Sequence, residues 1–313
     1  MTQKEIDKLD GAARAGWLYY VAGYTQDQIA NEFGISRQSA QRMVSLAMTE
    51  KLIKVRLDHP ISSCMDLNAK LIKKYNLKEC EIIPSVEDGN NVTGLGEAGA
   101  SMMEKYLLQE KKLIIAVGTG RVLKMIANEL SPINSSQHSI ISLVGNMTND
   151  GSASAHEVVS KISDKVNATY FPMPLPVIAN SSKEKELLHS LQSTSSILSL
   201  AKHVDVTFVG IGQYDQNAPL YKDSFINKEE LQGLLEAKAV GEITGWAYNN
   251  KGEIIQGHSN DKVTSIPLVK NSKKVVIAIA AGDNKQEAIK AALEGKLING
   301  LITNERMAEF LLQ

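Results

Sequence analysis

The chain has 313 residues, 22% of them charged, and a formal net charge of −1, so it is long enough for two domains and lacks the charge excess of proteins that coat nucleic acid. Two cysteines, Cys64 and Cys80, show no metal-ligand spacing and no disulfide framework, and the six histidines are scattered, so we expect neither a metal nor a cofactor. The segment MTQKEIDKLD is polar, and the longest apolar run, residues 275–281, is too short to cross a bilayer. We therefore expect no membrane partner and a reducing, cytoplasmic setting.

Residues 23–47, GYTQDQIANEFGISRQSAQRMVSLA, have the pattern of two helices joined by a tight turn. Thr25 can cap the first helix, Gly34 tolerates the positive φ that the turn requires, and Ser36 can cap the second helix. The apolar side chains of the second helix share one face by their i, i+3, i+4, i+7 spacing: Ala40, Met43, Val44 and Ala47.

The opposite face of this second helix is rich in arginine and glutamine, which make bidentate contacts to guanine and adenine edges in the major groove. The segment therefore predicts a DNA-binding helix-turn-helix, with an ordinary helical hairpin as the alternative. The residues expected to contact DNA are Thr25, Gln26, Ser36, Arg37, Gln38, Ser39, Gln41 and Arg42. Residues 1–58 have a net charge of only +1, which suggests that several copies act together on one DNA site.

The segments around the motif complete this first domain. A first helix is predicted to pack under the other two by the spacing of Ala13, Trp17, Tyr20 and Val21. Residues 52–57, LIKVRL, alternate apolar and basic residues, as in a wing strand near the phosphate backbone or a solvated strand face. Residues 58–60 break this pattern, so we place the domain boundary after residue 58.

Residues 59–313 have the alternation of short apolar runs and helical segments that is typical of a largely parallel sheet covered on both faces. We predict an α/β fold for the protein: a winged-helix-like N-terminal domain followed by a doubly wound, Rossmann-like domain. Strands are predicted at 81–84, 113–117, 140–144, 206–211, 242–248, 275–280 and 300–303. Helices are predicted at 67–75, 96–108, 122–130, 155–166, 229–237, 285–293 and 305–312. In residues 172–192 three prolines interrupt every pattern.

Several predicted strands end in glycine-rich loops, and ligands of open parallel sheets bind beyond the carboxyl ends of the strands. The loop Gly118-Thr119-Gly120-Arg121 offers backbone amides at a helix start, a hydroxyl and a guanidinium, which could hold an oxyanion or sugar hydroxyls. It is not a dinucleotide fingerprint, because Leu123 occupies the third glycine position. A tight strand-to-helix turn without a ligand is the alternative.

Five further residues are candidates for the same site. Asn146 and Gln213 could bind sugar hydroxyls, although each also suits a plain turn. Glu242 has small or apolar neighbours, so its carboxylate needs partners and could hold vicinal hydroxyls. Lys285 opposes the dipole of the helix that it begins, and a bound anion would compensate for this. Asn304 is a candidate contact as well, but it fits a plain N-cap better.

Structural alternatives remain open for the charged candidates. Glu242 could be a solvent-facing strand residue, and Lys285 could be a solvated lysine. Asp283 and Gln286 fit a capping box, which would give Asp283 a purely structural role.

These segments together resemble the SorC family of sugar-binding transcriptional regulators, also called the DeoR/SorC type, over nearly the whole chain. The stretch GWLYYVAGYTQDQIANEFGISRQSAQRMV is similar to the family's helix-turn-helix. The later blocks follow in the family's order: IAVGTGRVL, ISLVGN, YFPMPLPV, VDVTFVGIG, AVGEITGWAYNNKG and IAIAAGDNKQEAIKAALEGKLINGLITNERMAEFLL. The resemblance implies an effector domain related to sugar-phosphate isomerases and glucosamine-6-phosphate deaminases. It also implies homo-oligomers, often tetramers, whose operator affinity responds to a sugar, a polyol or their phosphates.

The resemblance further implies an effector site at the 118–121 loop, Glu242 and Lys285, and two departures from the family pattern bear on the ligand. Members that bind a deoxyribose phosphate through a Schiff base have a lysine where this chain has Val144, so no such adduct is expected. Many members have Asp at the position of Asn304, whereas the sorbose and sorbitol regulators share the Thr-Asn pair. This favours a polyol or a ketose as the effector.

We therefore predict a regulator of a carbohydrate catabolic operon that binds repeated or palindromic half-sites of operator DNA. The main alternative is a sugar-phosphate isomerase or deaminase with an added N-terminal domain. The related deaminases have Asp-Gly-His after a glycine loop, whereas GIGQYDQNA has Asp215 and no histidine, so we expect no enzyme activity. A third alternative is a sugar-sensing scaffold whose first domain binds protein.

Overall fold

The computed structural model describes residues 3–53, 61–86, 92–148, 152 and 158–313, and the chain divides into two compact units, Met1–Pro60 and Ile61–Gln313. The first unit contains three helices, α1 (Gln3–Tyr20), α2 (Gln26–Phe33) and α3 (Arg37–Thr49). None of the helices in the described part of the chain is long and apolar enough to cross a membrane.

Local hydrogen bonds fix where α2 and α3 begin. Thr25 Oγ1 accepts from Gln28 N at 3.3 Å, and Thr25 N donates to the Gln28 side chain at 2.8 Å, which completes a capping box. Gly34 ends α2 with φ 64°, a value that costs glycine little. The Ser36 hydroxyl then accepts from Ser39 N and caps α3. The two caps and the turn glycine predicted from the sequence are confirmed.

The packing of α1 differs from the prediction. Trp17, Tyr20 and Val21 were expected in the core, but they are 54%, 42% and 65% exposed. Small residues are turned inward instead: a Cβ added to Gly16 would lie 2.7 Å from the Cβ of Ala47. The α1–α3 crossing is too close for large side chains, so the aromatic residues of α1 are left on the outside. Leu52 and Ile53 form a bend after α3, and the rest of the predicted wing strand lies outside the described residues.

The second unit is built on two sheets and ten helices within its described residues. The strands are β1 (Glu79–Ile83), β2 (Ile114–Val117), β3 (Ser139–Met147), β4 (Thr169–Pro176), β5 (Val206–Val209), β6 (Gly212–Gln213), β7 (Ala239–Ile243), β8 (Trp246–Asn249), β9 (Val275–Ile279) and β10 (Gly300–Asn304). The helices are α4 (Ser62–Tyr75), α5 (Leu95–Leu107), α6 (Arg121–Glu129), α7 (Val159–Val166), α8 (Ser182–Ser190), α9 (Gln192–Ala201), α10 (Pro219–Lys222), α11 (Lys228–Glu236), α12 (Gln286–Glu294) and α13 (Glu305–Leu312).

Seven of the strands form one parallel sheet in the order β1-β10-β9-β5-β2-β3-β4. One hydrophobic core contains residues of α5, α6 and α7, and the other contains residues of α4, α11, α12 and α13. Sheet residues alternate between the two cores, as Ile115 and Ala116 do, because successive side chains of a strand point to opposite faces. The predicted α/β class with a largely parallel sheet is confirmed.

Two strand predictions were incomplete. Residues 242–248 do not form one strand, because β7 and β8 are antiparallel and turn back at Thr244-Gly245. Strand β4 begins at Thr169 and continues into the proline-rich residues 172–192, where no element was predicted. It is an edge strand. Pro172, Pro174 and Pro176 have no backbone N–H to donate, and at an edge this does not interrupt the hydrogen bonds in the middle of the sheet.

Candidate effector site and DNA-facing helix

A cavity of about 590 Å³ lies at the carboxyl ends of the central strands. Its wall includes residues of the loops that follow β2, β5 and β9, which are neighbours in the sheet. From β2 the chain adds β3 and β4 on one side, then returns to add β5, β9 and β10 on the other. The cavity therefore lies at the topological switch point of the sheet, where ligands of open α/β folds bind.

The structure brings most of the sequence-predicted residues together in this wall. The predicted residues that line the cavity are Thr119, Gly120, Arg121, Gln213, Glu242 and Lys285. Gly118, Asn146 and Asn304 are not among its lining residues. Gly118 is buried behind the wall, where a Cβ would lie 3.3 Å from Thr244 Cγ2.

Asn304 has the structural role of an N-cap, which its sequence position also predicts. It is 5% exposed, and its Oδ1 accepts from Met307 N at 3.0 Å, so it is the N-cap of α13. Its inclusion among the effector contacts is therefore a prediction that the cavity wall does not support. Asn146 lies near the end of β3, and its Oδ1 is buried and has no hydrogen-bond partner among the residues that the structure describes.

Glu242 is held by the turn that follows its own strand. Its Oε2 accepts from Gly245 N at 2.8 Å, and Thr244 and Gly245 form a two-residue turn with φ 52° and 89°. Positive φ is unusual for a β-branched residue such as Thr244, and strained residues of this kind occur at ligand sites. Burial raises the pKa of Glu242, while the Gly245 hydrogen bond and Lys285 act in the opposite direction.

Lys285 also has a backbone partner. Its Nζ donates to Ile211 O at 2.7 Å, and no ion pair joins it to Glu242, although the structure describes both side chains. Burial lowers the pKa of Lys285, Glu242 opposes this, and Arg121 adds to it. The cavity thus contains an ammonium and a carboxylate that are each anchored to the backbone and retain hydrogen-bonding capacity for a ligand.

The start of α6 supplies an anion-binding element. Gly120 precedes the helix with φ 111°, and no side chain in the described part of the chain caps its first amides. Arg121 and Lys124 line the cavity from this helix, and with Lys285 they outnumber the lining carboxylates, Asp223 and Glu242. A helix N-terminus beside three cations is suited to a phosphate or carboxylate group.

Other lining residues were missed by the sequence reasoning. Thr244 and Gly245 were missed because residues 242–248 were predicted to form one strand, although an isolated glycine inside a strand pattern is a signal of irregular backbone. Asn128 and Asn284 add amides to the wall; Asn284 stands beside Lys285 in a loop that follows a predicted strand, whereas nothing in the local sequence of Asn128 indicates its position. Apolar residues complete one side of the cavity: Val92, Val122, Met125, Val177, Leu220 and Phe225.

On α3 the predicted DNA-facing side chains are exposed. Arg37, Gln38, Gln41 and Arg42 are all on the surface, whereas Ala40, Val44 and Ala47 are buried. Arg37 Nε lies 3.6 Å from an Asp27 carboxylate oxygen, and both side chains are well exposed, so this pair restrains Arg37 only weakly.

The remaining predicted DNA contacts belong to the helix starts. Gln26 and Ser39 are half-buried at the beginnings of α2 and α3. Thr25 and Ser36 use their hydroxyl oxygens as caps. No cluster of three or more His, Cys, Asp or Glu side chains that could hold a metal occurs in the described residues.

Comparison with known sequences places this architecture in a family. Residues 59–313 match the sequence model of the family described as "Putative sugar-binding domain". The chain is 29% identical over 302 residues to the erythritol catabolism regulatory protein EryD of Brucella abortus, with 96% of each chain covered. It is 28% identical over 306 residues to the transcriptional regulator LsrR of Escherichia coli, covering 96% of this chain and 94% of that protein.

Solved structures show the same fold. The full-length sorbitol operon regulator SorC of Klebsiella pneumoniae matches 98% of this chain and 100% of its own, with a TM-score of 0.73 and 24% identity. A DeoR family transcriptional regulator from Listeria monocytogenes matches 80% of this chain and 100% of its own, also with a TM-score of 0.73 and 24% identity. The chain belongs to the SorC family of sugar-binding transcriptional regulators.

Proposed function

We propose that this regulator controls a carbohydrate catabolic operon, and that a polyol, a ketose or one of their phosphates in the cavity sets its affinity for operator DNA. One observation supports this most directly. The cavity at the switch point of the sheet brings together a carboxylate, an ammonium and an uncapped helix N-terminus. These are groups that bind hydroxyls and phosphate.

The DNA-binding part of the proposal concerns the first unit. Helices α2 and α3 act as a helix-turn-helix, in which α3 enters the major groove and Arg37, Gln38, Gln41 and Arg42 contact base edges. Thr25, Gln26, Ser36 and Ser39, at the helix starts, contact the phosphate backbone. The weak net charge of this unit favours a homo-oligomer, a dimer or a tetramer, that binds repeated or palindromic half-sites.

The effector part of the proposal concerns the second unit, a doubly wound domain of the sugar-phosphate isomerase type. The 118–121 loop, the start of α6 and Lys285 hold the anionic or hydroxyl-rich end of the ligand. Glu242 accepts hydrogen bonds from its hydroxyls, and the amide of Gln213 can both accept from them and donate to them. Val144 lines the cavity and occupies the position of the lysine with which some family members form a Schiff base, so no such adduct is expected at this position.

The enzyme alternative is not favoured. Asp215, the acid of the isomerase-like stretch, accepts from Asn217 N at 2.6 Å within a turn and is not among the residues that line the cavity. A positioned acid–base pair within reach of the sugar is required for such chemistry. The named relatives are transcriptional regulators, which also supports a sensing site.

A ligand panel tests the effector assignment by thermal shift of the full chain. We expect erythritol, sorbitol, sorbose or one of their monophosphates to stabilise it, by about 2.7 kcal/mol at 100 times the dissociation constant. Lys285→Met should weaken this shift, whereas Lys290→Met, at a half-buried residue of the following helix α12 that does not line the cavity, should not. A panel that stabilises neither the chain nor its Lys290→Met variant would contradict the assignment.

A further inference from the structure

Helix α4 is the first element of the second unit and begins at Ser62, one residue after the boundary between the two units. Its first turn is held from outside. Ser63 Oγ donates to Glu305 Oε1 at 2.7 Å, and Ser85 N donates to Glu305 Oε2 at 3.1 Å. The carboxylate of Glu305 therefore joins α4, the loop after β1 and the start of α13.

The far ends of the same two helices are also joined. Lys74 Nζ and Tyr75 Oη both donate to Leu311 O, at 2.8 and 2.9 Å. The start of α4 is bonded to the start of α13, and the end of α4 is bonded to the end of α13. The two helices therefore run in the same direction and are joined at both ends. A displacement of α13 is therefore expected to move α4 with it.

The start of α13 is in turn bonded to a turn that contributes two residues to the cavity wall. Arg306 Nη2 lies 2.6 Å from Asp283 Oδ2, and Arg306 N donates to Ser85 Oγ at 3.0 Å. Asp283 shares one short 3-10 turn, Asp283–Lys285, with two lining residues, Asn284 and Lys285. A ligand that contacts Asn284 or Lys285 therefore acts on the turn that positions Asp283. The predicted capping box of Asp283 with Gln286 is absent, because α12 has no side-chain cap.

We propose that Glu305 and Arg306 couple the cavity to α4. A ligand on the 283–285 turn changes how firmly the first turn of α4 is held. It thereby acts on the helix through which the second unit is connected to the DNA-binding unit. This coupling rests on the proposed effector function of the cavity. The two residues act as positioning residues and contact no ligand themselves. Hydrogen bonds from Ser63 and Ser85 hold the pKa of Glu305 below its usual range, so the carboxylate is ionised at neutral pH.

Amide hydrogen exchange in the full chain without ligand tests the coupling directly. The first hydrogen-bonded amide of α4 is Met65 N, which donates to Ile61 O at 3.0 Å. Ser63→Ala and Glu305→Gln remove contacts to α4 itself, and we expect faster exchange in its first turn. Asp283→Asn changes only the contact at the cavity end of this connection. We expect the exchange rate of the same amides to increase two- to fivefold, the range for the loss of an exposed ion pair.

The control is Lys274→Gln, which removes the Lys274–Asp205 pair at the amino ends of the central strands β9 and β5, away from the cavity. Equal exchange at Met65 in Asp283→Asn and Lys274→Gln would overturn the proposal. Because this arm needs no ligand, it decides the coupling even if no compound of the polyol panel binds.

A second arm measures regulation with the compound of the panel that stabilises the chain most. Glu305→Gln should keep the thermal shift of the wild type and lose the ligand-induced change in operator affinity, which is typically 5–150-fold. A Glu305→Gln chain that keeps both the thermal shift and the full operator response would also overturn the proposal. A panel without any binder would contradict the effector assignment and leave the exchange arm to decide the coupling.

Discussion

At Gly212 the absence of a side chain makes room for the carboxylate of Glu242. The two residues are directly opposite in the β6–β7 pair, and a Cβ on Gly212 would lie 2.3 Å from Glu242 Oε1. The other carboxylate oxygen is fixed by Gly245 N. Glu242 is therefore placed by two neighbours that have no side chains of their own to contribute.

Substitution of Gly212 by alanine should displace the Glu242 carboxylate and weaken effector binding. We expect a loss of about tenfold or more, the cost of one hydrogen bond to a charged group, measured by calorimetric titration. Gly210→Ala is the matched control, because this glycine also lines the cavity and its added Cβ would meet Val122 at an ordinary 3.5 Å. Equal ligand affinity in the two variants would show that the position of Glu242 is irrelevant to binding.

Among the elements, α3 depends on one local contact at its start. Ser36 Oγ accepts from Ser39 N, which satisfies one of the first free amides of the helix. Ser36→Ala should destabilise α3 by about 1 kcal/mol and speed its amide exchange roughly fivefold. Ser45→Ala, on the exposed middle of the same helix, should leave exchange unchanged or slower. The capping role is wrong if both variants exchange at the wild-type rate.

The elements that could be predicted are those specified by local pattern. Strand β2 and helix α6 were predicted within one residue of their observed bounds, because an apolar run and a glycine loop define both. Helices α8 and α9 were missed, since few of their residues are buried and no apolar period marks them. Strand β4 was missed because its prolines are tolerated only at the edge of a sheet, and strand order is a tertiary property.

The site was predictable to the same degree. The 118–121 loop and Lys285 follow strands, so sequence order places both at the carboxyl ends of the strands, on one side of a parallel sheet. The pairing of Asp283 with Arg306 could not be anticipated, because its partner is distant in sequence and a nearby Gln286 offered a local alternative. The prediction that the aromatic residues of α1 are buried was wrong for a related reason, because the face of α1 that is buried depends on how closely α3 approaches.

For the whole molecule, the cavity and the exposed face of α3 belong to two separate compact units. Regulation requires that ligand binding in one unit alter the free energy of DNA binding in the other, and such coupling is reciprocal. A ligand without differential affinity for the two states of the regulator would change nothing, however tightly it bound.

The most direct test is a titration of operator DNA with the full chain, in the absence and presence of the stabilising polyol or ketose compound. We expect the ligand to change operator affinity by about 5–150-fold in the wild type. Lys285→Met should keep the ligand-free affinity and lose this change, whereas Gln41→Ala and Arg42→Ala should weaken operator binding and keep the thermal shift. Operator affinity that is independent of every compound tested, or turnover of a compound above about one per second, would contradict the account.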